Sequence, residues 1–295
     1  MPSKTPSQPT GLSLHIGLNS VDPKGYGGWS GPLNACENDA HDMAKIAAAR
    51  GFKSKILLTK DATAAAVITY LKNAAKNLKK GDELFISYSG HGGQVPDLNG
   101  DEKGAANSDD NVDETWCLYD SQLVDDELWG LWSLFAAGVR IVMLSDSCHS
   151  GTVAKDISAV LRGGPQIPIR NEPTIDFSAF RVKALPADEL RPAYNAQKKK
   201  YDKIQKDNAT TSKAKIGASV VLISGCQDNQ VSLDGQKNGL FTEKLLQVYK
   251  EGAFKGSLKS FHSAILNLMP FTQSPNYLVV GAKNAKFEAG APFAL

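Results

Sequence analysis

Apolar positions along the chain fall into runs of two kinds. Residues 11–19, GLSLHIGLN, form a short apolar run that stops at Asn and Asp-Pro. Runs of the same length recur as KSKILLT from Lys53, DELFISYS from Asp82, VRIVMLSD from Val139, ASVVLISGC from Ala218 and NYLVVG from Asn276. Continuous apolar runs this short predict strands buried on both faces. Between them the period lengthens to that of a helix. Cys36 to Arg50 places Met43, Ile46 and Ala47 on one face and ends at Gly51, a natural helix stop. Asp61 is expected to cap an Ala-rich helix reaching about Leu78, and further helices are predicted from about Asp125 to Ala137, over 238–250 and over 257–268. Strand–helix alternation of this kind predicts an α/β domain, a mainly parallel β-sheet sandwiched between α-helices.

Two stretches break the pattern. Residues 97–127 carry eleven acids and one base, Lys103. Residues 155–215 are weakly periodic and turn basic, with ten Lys and Arg against four Asp and Glu from Arg181 to Lys215, and one helix is predicted near 193–207. The chain therefore reads as a loose leader over 1–10 and one domain over 11–295, in which an insertion at 155–215 separates halves at 11–154 and 216–295.

Composition narrows the functional classes. A net charge of +2 lacks the basic excess of nucleic-acid binders, so no nucleic-acid partner is expected. The first ten residues are polar and Pro-rich, and the apolar runs are too short to span a bilayer, so no membrane association is expected. Cys36, Cys117, Cys148 and Cys226 form no C-x-x-C pair, which argues against a zinc ribbon or a dense disulfide framework and for a reduced, cytoplasmic location.

Open α/β sheets place ligands beyond the carboxyl ends of their strands. Two predicted strands end in polar, Gly-containing loops, one at Ser89-Gly90-His91-Gly92-Gly93 and one at Asp146-Ser147-Cys148-His149-Ser150-Gly151. A cysteine becomes a nucleophile when it is exposed, partly ionised and close to a base, and His91 is the candidate base. His149 is a competing base, but adjacency in an extended segment turns its side chain away from that of Cys148. A serine nucleophile at Ser89 is disfavoured because Ser87 stands where a G-x-S-x-G elbow needs Gly. His15 and His262 are expected to be structural, and Trp116, Trp129 and Trp132 to be core aromatics.

The boxes Tyr88–Gly93 and Asp146–Gly151 resemble the paired His and Cys boxes of metacaspases, and the resemblance continues at Cys36-Glu37-Asn38-Asp39-Ala40 and Ile223-Ser224-Gly225-Cys226-Gln227-Asp228. It implies the caspase-hemoglobinase fold and a cysteine endopeptidase in which Cys148 attacks and His91 relays the proton. It also implies an oxyanion hole from the backbone N–H groups of Gly92 and Cys148. Metacaspases cut after Arg or Lys, and the resemblance puts Asp39, Asp146, Ser89 and Cys36 in the first specificity pocket. Peptide or protein substrates with Arg or Lys at the cut, and a monomer, are the partner and assembly it implies. The lack of a long N-terminal extension suggests no recruiting prodomain.

Asp97, Asn99 and Asp101 begin like an EF-hand loop, but Glu102 replaces its Gly and Ser108 its final Glu, so an EF-hand is rejected. The family's activating Ca²⁺ points instead to Asp113, Asp125, Asp126 and, by a one-residue shift from Lys155, Asp156. The alternative is a solvated acidic loop. Arg191, Lys198, Lys199, Lys200, Lys203 and Lys206 in the insertion are candidate self-cleavage sites, against the alternative of an exposed charged helix. Two other readings of the whole remain: a catalytically latent interaction protein on this fold, or a related peptidase with a different preference at the cut.

Overall fold

The computed structural model describes residues 9–98, 112–148, 180–208, 215–227 and 230–295. In chain order its elements begin with β1 (Gly11–Gly17), α1 (Cys36–Ala49), β2 (Lys53–Leu58), α2 (Ala64–Asn77) and β3 (Glu83–Ser89). They continue with β4 (Gly92–Pro96), β5 (Val112–Cys117), β6 (Gln122–Val124), α3 (Asp125–Ser133) and β7 (Arg140–Asp146). Next come β8 (Arg181–Val182), α4 (Ala187–Ala196), α5 (Lys198–Asn208), β9 (Ser219–Ser224) and β10 (Leu233–Asp234). The chain closes with α6 (Leu240–Tyr249), α7 (Leu258–Asn267), β11 (Asn276–Gly281) and α8 (Ala285–Glu288).

Six strands form the main sheet in the order β11-β9-β7-β3-β1-β2. All its pairs are parallel except β9 with β11. This is the α/β architecture that the alternating pattern predicts. Successive side chains of a strand point to opposite faces, so one strand feeds two cores. Phe85 of β3 and Val142 and Leu144 of β7 pack with Met43 and Ile46 of α1, Phe241 and Leu245 of α6 and Phe261 of α7. Their neighbours Leu84, Ile86, Ile141 and Met143 pack with Val67 and Leu71 of α2 and Leu131 and Trp132 of α3. The sheet is thereby buried on both sides, which is why its strands read as unbroken apolar runs.

From β1 the chain moves out to β2 and returns past β1 to β3, making a topological switch at the carboxyl ends of β1 and β3. Register sets these ends level, with Gly17 opposite Ser89 and Ser89 opposite Asp146. A Cβ on Gly17 would lie 2.3 Å from the Cys36 carbonyl oxygen, so only glycine lets the first turn of α1 close onto the strand end. That approach carries Asp39 to the switch point.

Several elements depart from the sequence expectation. Helix α2 is capped by Thr63, whose Oγ1 accepts from the Ala66 N–H at 3.2 Å, while Asp61 lies in a preceding 3-10 turn over Thr59–Asp61. The acidic stretch contains strand β5, which joins β4 and β6 in a separate antiparallel sheet. Its sequence Val-Asp-Glu-Thr-Trp-Cys puts charges where a buried strand would be apolar. Helix α3 stops at Ser133 rather than Ala137. Among its described residues the insertion holds two helices, α4 and α5, broken at Gln197, whose φ of −135° is not helical. Among the described residues, no helix is long and apolar enough to cross a membrane.

Candidate active site

Side-chain alternation aims the chemistry. On β3, Phe85, Ser87 and Ser89 share the face that looks toward α1 and α6, and on β7 Val142, Leu144 and Asp146 do the same. Ser89 and Asp146, opposite each other in register, therefore meet Asp39 of α1 in one buried pocket. Two residues beyond each strand end stand His91 and Cys148.

His91 is fixed through its backbone and its ring. Its carbonyl accepts from Tyr88 Oη at 2.6 Å and from the Cys117 N–H at 2.9 Å. Its Nε2 donates to the Gly31 carbonyl at 3.1 Å, which makes Nδ1 the unprotonated nitrogen, and Nδ1 is buried with no hydrogen-bond partner. Trp29 lies edge-on to the ring, with centroids 4.7 Å apart. Burial lowers its pKa to about 4, outweighing the carbonyls of Gly31 and Ala184, so the imidazole is neutral at pH 7 and able to accept a proton. Cys148 is fully buried. Cys226 lies beside it, donating from Sγ to the Ser147 carbonyl at 3.4 Å. The Cys226 thiol is pushed well up, first by its hydrogen bond with Cys148 and then by burial.

Part of the insertion covers the nucleophile. The carbonyl oxygen of Lys183 accepts from the Gly92 N–H at 3.0 Å and the Cys148 N–H at 3.2 Å. The two donors assigned to an oxyanion hole thus converge on one carbonyl oxygen, as acyl transfer requires. The Lys183 side chain runs into the pocket. Its Nζ lies 3.1 Å from Asp39 Oδ2, 3.0 Å from Asp146 Oδ2 and 2.9 Å from Ser89 Oγ. Backbone hydrogen bonds hold residues Arg181 to Leu185: Arg181 and Val182 pair antiparallel with Asp234 and Leu233, the Lys183 N–H donates to the Ser232 carbonyl at 2.9 Å, and Leu185 N–H donates to the Gly92 carbonyl at 2.7 Å.

Removing an ammonium group from water costs several kcal/mol, and the pocket offsets this by holding both carboxylates in place. Asp39 Oδ1 accepts from Asn238 Nδ2 at 3.0 Å and the Gly239 N–H at 3.1 Å, and its Oδ2 from Ser89 Oγ at 2.7 Å. Asp146 accepts from Ser232 Oγ at 2.5 Å and Thr242 Oγ1 at 2.9 Å. Burial raises Asp39 to about 6 against the pull of Lys183. The Lys183 ammonium is driven well above its ordinary value by Asp146, Cys36 and Asp39, against burial. Cys36 sits at the pocket's edge, donating from Sγ to Asp234 Oδ1 at 3.7 Å. Asp234 also accepts from the N–H groups of Asn34 and Ala35, anchoring the start of α1.

Sequence reasoning missed Lys183, Gly239, Ser232 and Thr242. Gly239 lines the pocket: a Cβ there would lie 2.2 Å from Lys183 Nζ and 2.4 Å from Asp146 Oδ2. The expected self-cleavage residues lie elsewhere, Arg191 on α4 and Lys198, Lys199, Lys200, Lys203 and Lys206 on α5. Lys198 pairs with Asp202, Lys203 with Asp207, and Lys200 donates to Ser121 Oγ. Their backbone is helical, whereas the basic residue at the nucleophile is the extended Lys183.

Three of the four expected calcium ligands lie among the described residues. Asp113 Oδ2 accepts from Gln205 Nε2 at 2.6 Å, Asp125 Oδ1 accepts from the Asp126 N–H at 3.0 Å, and Asp156 lies outside the described residues. Among the described residues, no group of three or more His, Cys, Asp or Glu is placed to hold a metal ion.

His15 and His262 are structural. His15 Nδ1 pairs with Ser87 Oγ at 2.8 Å inside the sheet, and His262 Nε2 meets the Pro275 carbonyl at 2.9 Å. Trp116 stacks on Tyr88 at 4.5 Å and donates to Ser145 Oγ.

A His and a Cys at neighbouring strand ends, with two N–H groups on one carbonyl, define a caspase-like centre. The family model described as "Caspase domain" matches residues 14–285, and the chain belongs to that family, on its metacaspase side. "Metacaspase-1" of Kluyveromyces lactis is 29% identical, over 91% of this chain and 66% of that one. "Metacaspase-1" of Cryptococcus neoformans is 31% identical, over 80% and 54%. The chain thus spans between half and two thirds of these curated relatives. A solved structure of a protein from Geobacter sulfurreducens is 48% identical with a TM-score of 0.83, covering 97% of this chain and 99% of that one. Caspase-1 of Spodoptera frugiperda, at 9% identity and a TM-score of 0.52 over 95% and 92%, shares the fold.

Proposed function

We propose that the protein is a cysteine endopeptidase that cuts after Lys or Arg, and that its first substrate is its own Lys183–Ala184 bond. The observation that carries this reading is the placement of Lys183, with its carbonyl oxygen on the Gly92 and Cys148 N–H groups and its ammonium between Asp39 and Asp146. An acidic pocket of this kind rejects Asp at the same position by like-charge repulsion.

His91 Nδ1 takes the thiol proton of Cys148, and the thiolate adds to the Lys carbonyl carbon. Charge on the carbonyl oxygen is met by the two N–H groups. The C–N bond breaks as His91 returns the proton to the leaving amine, the nitrogen of Ala184 in the chain's own case. Water then hydrolyses the thioester, releasing the lysine carboxylate and restoring the thiol.

The test is hydrolysis of fluorogenic peptides ending in Lys, Arg or Asp by wild type and by Cys148→Ala. Turnover of the Lys and Arg peptides only, lost in the variant, is expected. Turnover of the Asp peptide, or activity in Cys148→Ala, would refute the reading. We also propose calcium stimulation, which the sequence resemblance supports, and a chelator arm of the same assay reads it.

A further inference from the structure

The pocket for Lys183 has a counterpart on the other side of the bond. Leu185, two residues past the Lys183 carbonyl, is completely buried. Its N–H donates to the Gly92 carbonyl at 2.7 Å, the same residue whose N–H holds the Lys183 carbonyl, so Gly92 brackets the bond from both sides. The Leu185 side chain packs with Val21, Tyr26 and Cys117 and with Ala193 of α4. Three of these come from outside the insertion. The Tyr26 hydroxyl is occupied, donating to the Leu118 carbonyl at 2.6 Å, so its ring offers an apolar wall. On the amino side of Lys183 enclosure is weaker: Val182 is half-buried, and Arg181 is exposed, its Nη1 donating to the Pro32 carbonyl at 2.9 Å.

We infer that the cleft has a second specificity pocket, walled by Val21, Tyr26 and Cys117, which selects a leucine-sized apolar residue at the second position beyond the scissile bond. This rests on the peptidase reading above and deepens it. Discrimination is then concentrated at two enclosed positions, a cation before the bond and an aliphatic group two residues after it. A polar side chain in the second pocket leaves its hydrogen-bonding groups unpaired in a buried site, and a smaller one leaves the space unfilled.

Internally quenched peptides carrying Arg-Val-Lys-Ala-Leu, with the last residue varied to Ile, Ala, Ser or Asp, test this on the full-length protein. The Leu peptide is expected to exceed the Ala, Ser and Asp peptides in kcat/KM by at least about tenfold. A second arm follows self-cleavage in Leu185→Met and Leu185→Ser, where the conservative change is expected to keep the rate and the polar one to slow it. Equal kcat/KM across the series would overturn the pocket and leave Leu185 as an anchor of the chain's own linker. Cleavage of no lysine peptide would overturn the peptidase reading itself, and this one with it.

Discussion

Asp39 is an acid enclosed at the end of an apolar strand layer, and on the proposed reading its ionisation decides what the first pocket accepts. Burial holds it up at about 6 while Lys183 pulls it down. The carboxylate form attracts a cation, and the protonated form does not. The kcat/KM for lysine peptides is therefore expected to fall as pH drops through about 6 and below. Peptides with norleucine in place of lysine should lack this limb, and Asp39→Asn should lose both the limb and the preference for a cation. An identical limb for both peptides would show that it does not report Asp39. Cys148 and His91 were legible in the sequence because each stands just past a strand end, where periodicity locates it, whereas Asp39, Asp146 and Ser89 were reached through the resemblance of the boxes that carry them. Lys183 was not, because one lysine among ten basic residues carries no local signal of the pocket it enters.

At the scale of elements, the pocket depends on how closely the start of α6 approaches the ends of β3 and β7. Gly239, with φ −60° and ψ 149°, has backbone angles that any residue tolerates, so its smallness rather than its flexibility is what the site uses. Gly239→Ala should fill the space taken by Lys183 Nζ. The expected result is a loss of about 100-fold or more in kcat/KM for lysine peptides, with the thermal midpoint lowered as the Lys183–Asp146 pair is displaced. Wild-type turnover of lysine peptides by the variant would show that the cation binds elsewhere. The main strands and most helices could be read from apolar period, because packing against both faces writes itself into the sequence. Strand β5 could not: half of its residues are polar, and it is held by antiparallel partners and by contacts such as Gln205 on Asp113. The short strand β8 escaped notice because its two residues pair only with β10, a non-local contact.

In the molecule as a whole, the sheet's switch point, the two halves of the chain and the insertion meet at one place. The first half supplies Asp39, Ser89, His91, Asp146 and Cys148, the second supplies Ser232, Gly239 and Thr242, and the insertion supplies Lys183. As folded, the segment from Arg181 to Leu185 covers Cys148, with the Lys183 carbonyl on the Gly92 and Cys148 N–H groups; on the proposed reading, cleavage of that segment and opening of the site are one event. The most direct test is intact-mass analysis, with sequencing of the new N-terminus, after incubating wild type and Cys148→Ala side by side. The expectation is fragments that part between Lys183 and Ala184 in wild type, with Cys148→Ala remaining whole. A first cut at Arg191 or at the lysines of α5, or the same fragments from Cys148→Ala, would contradict it.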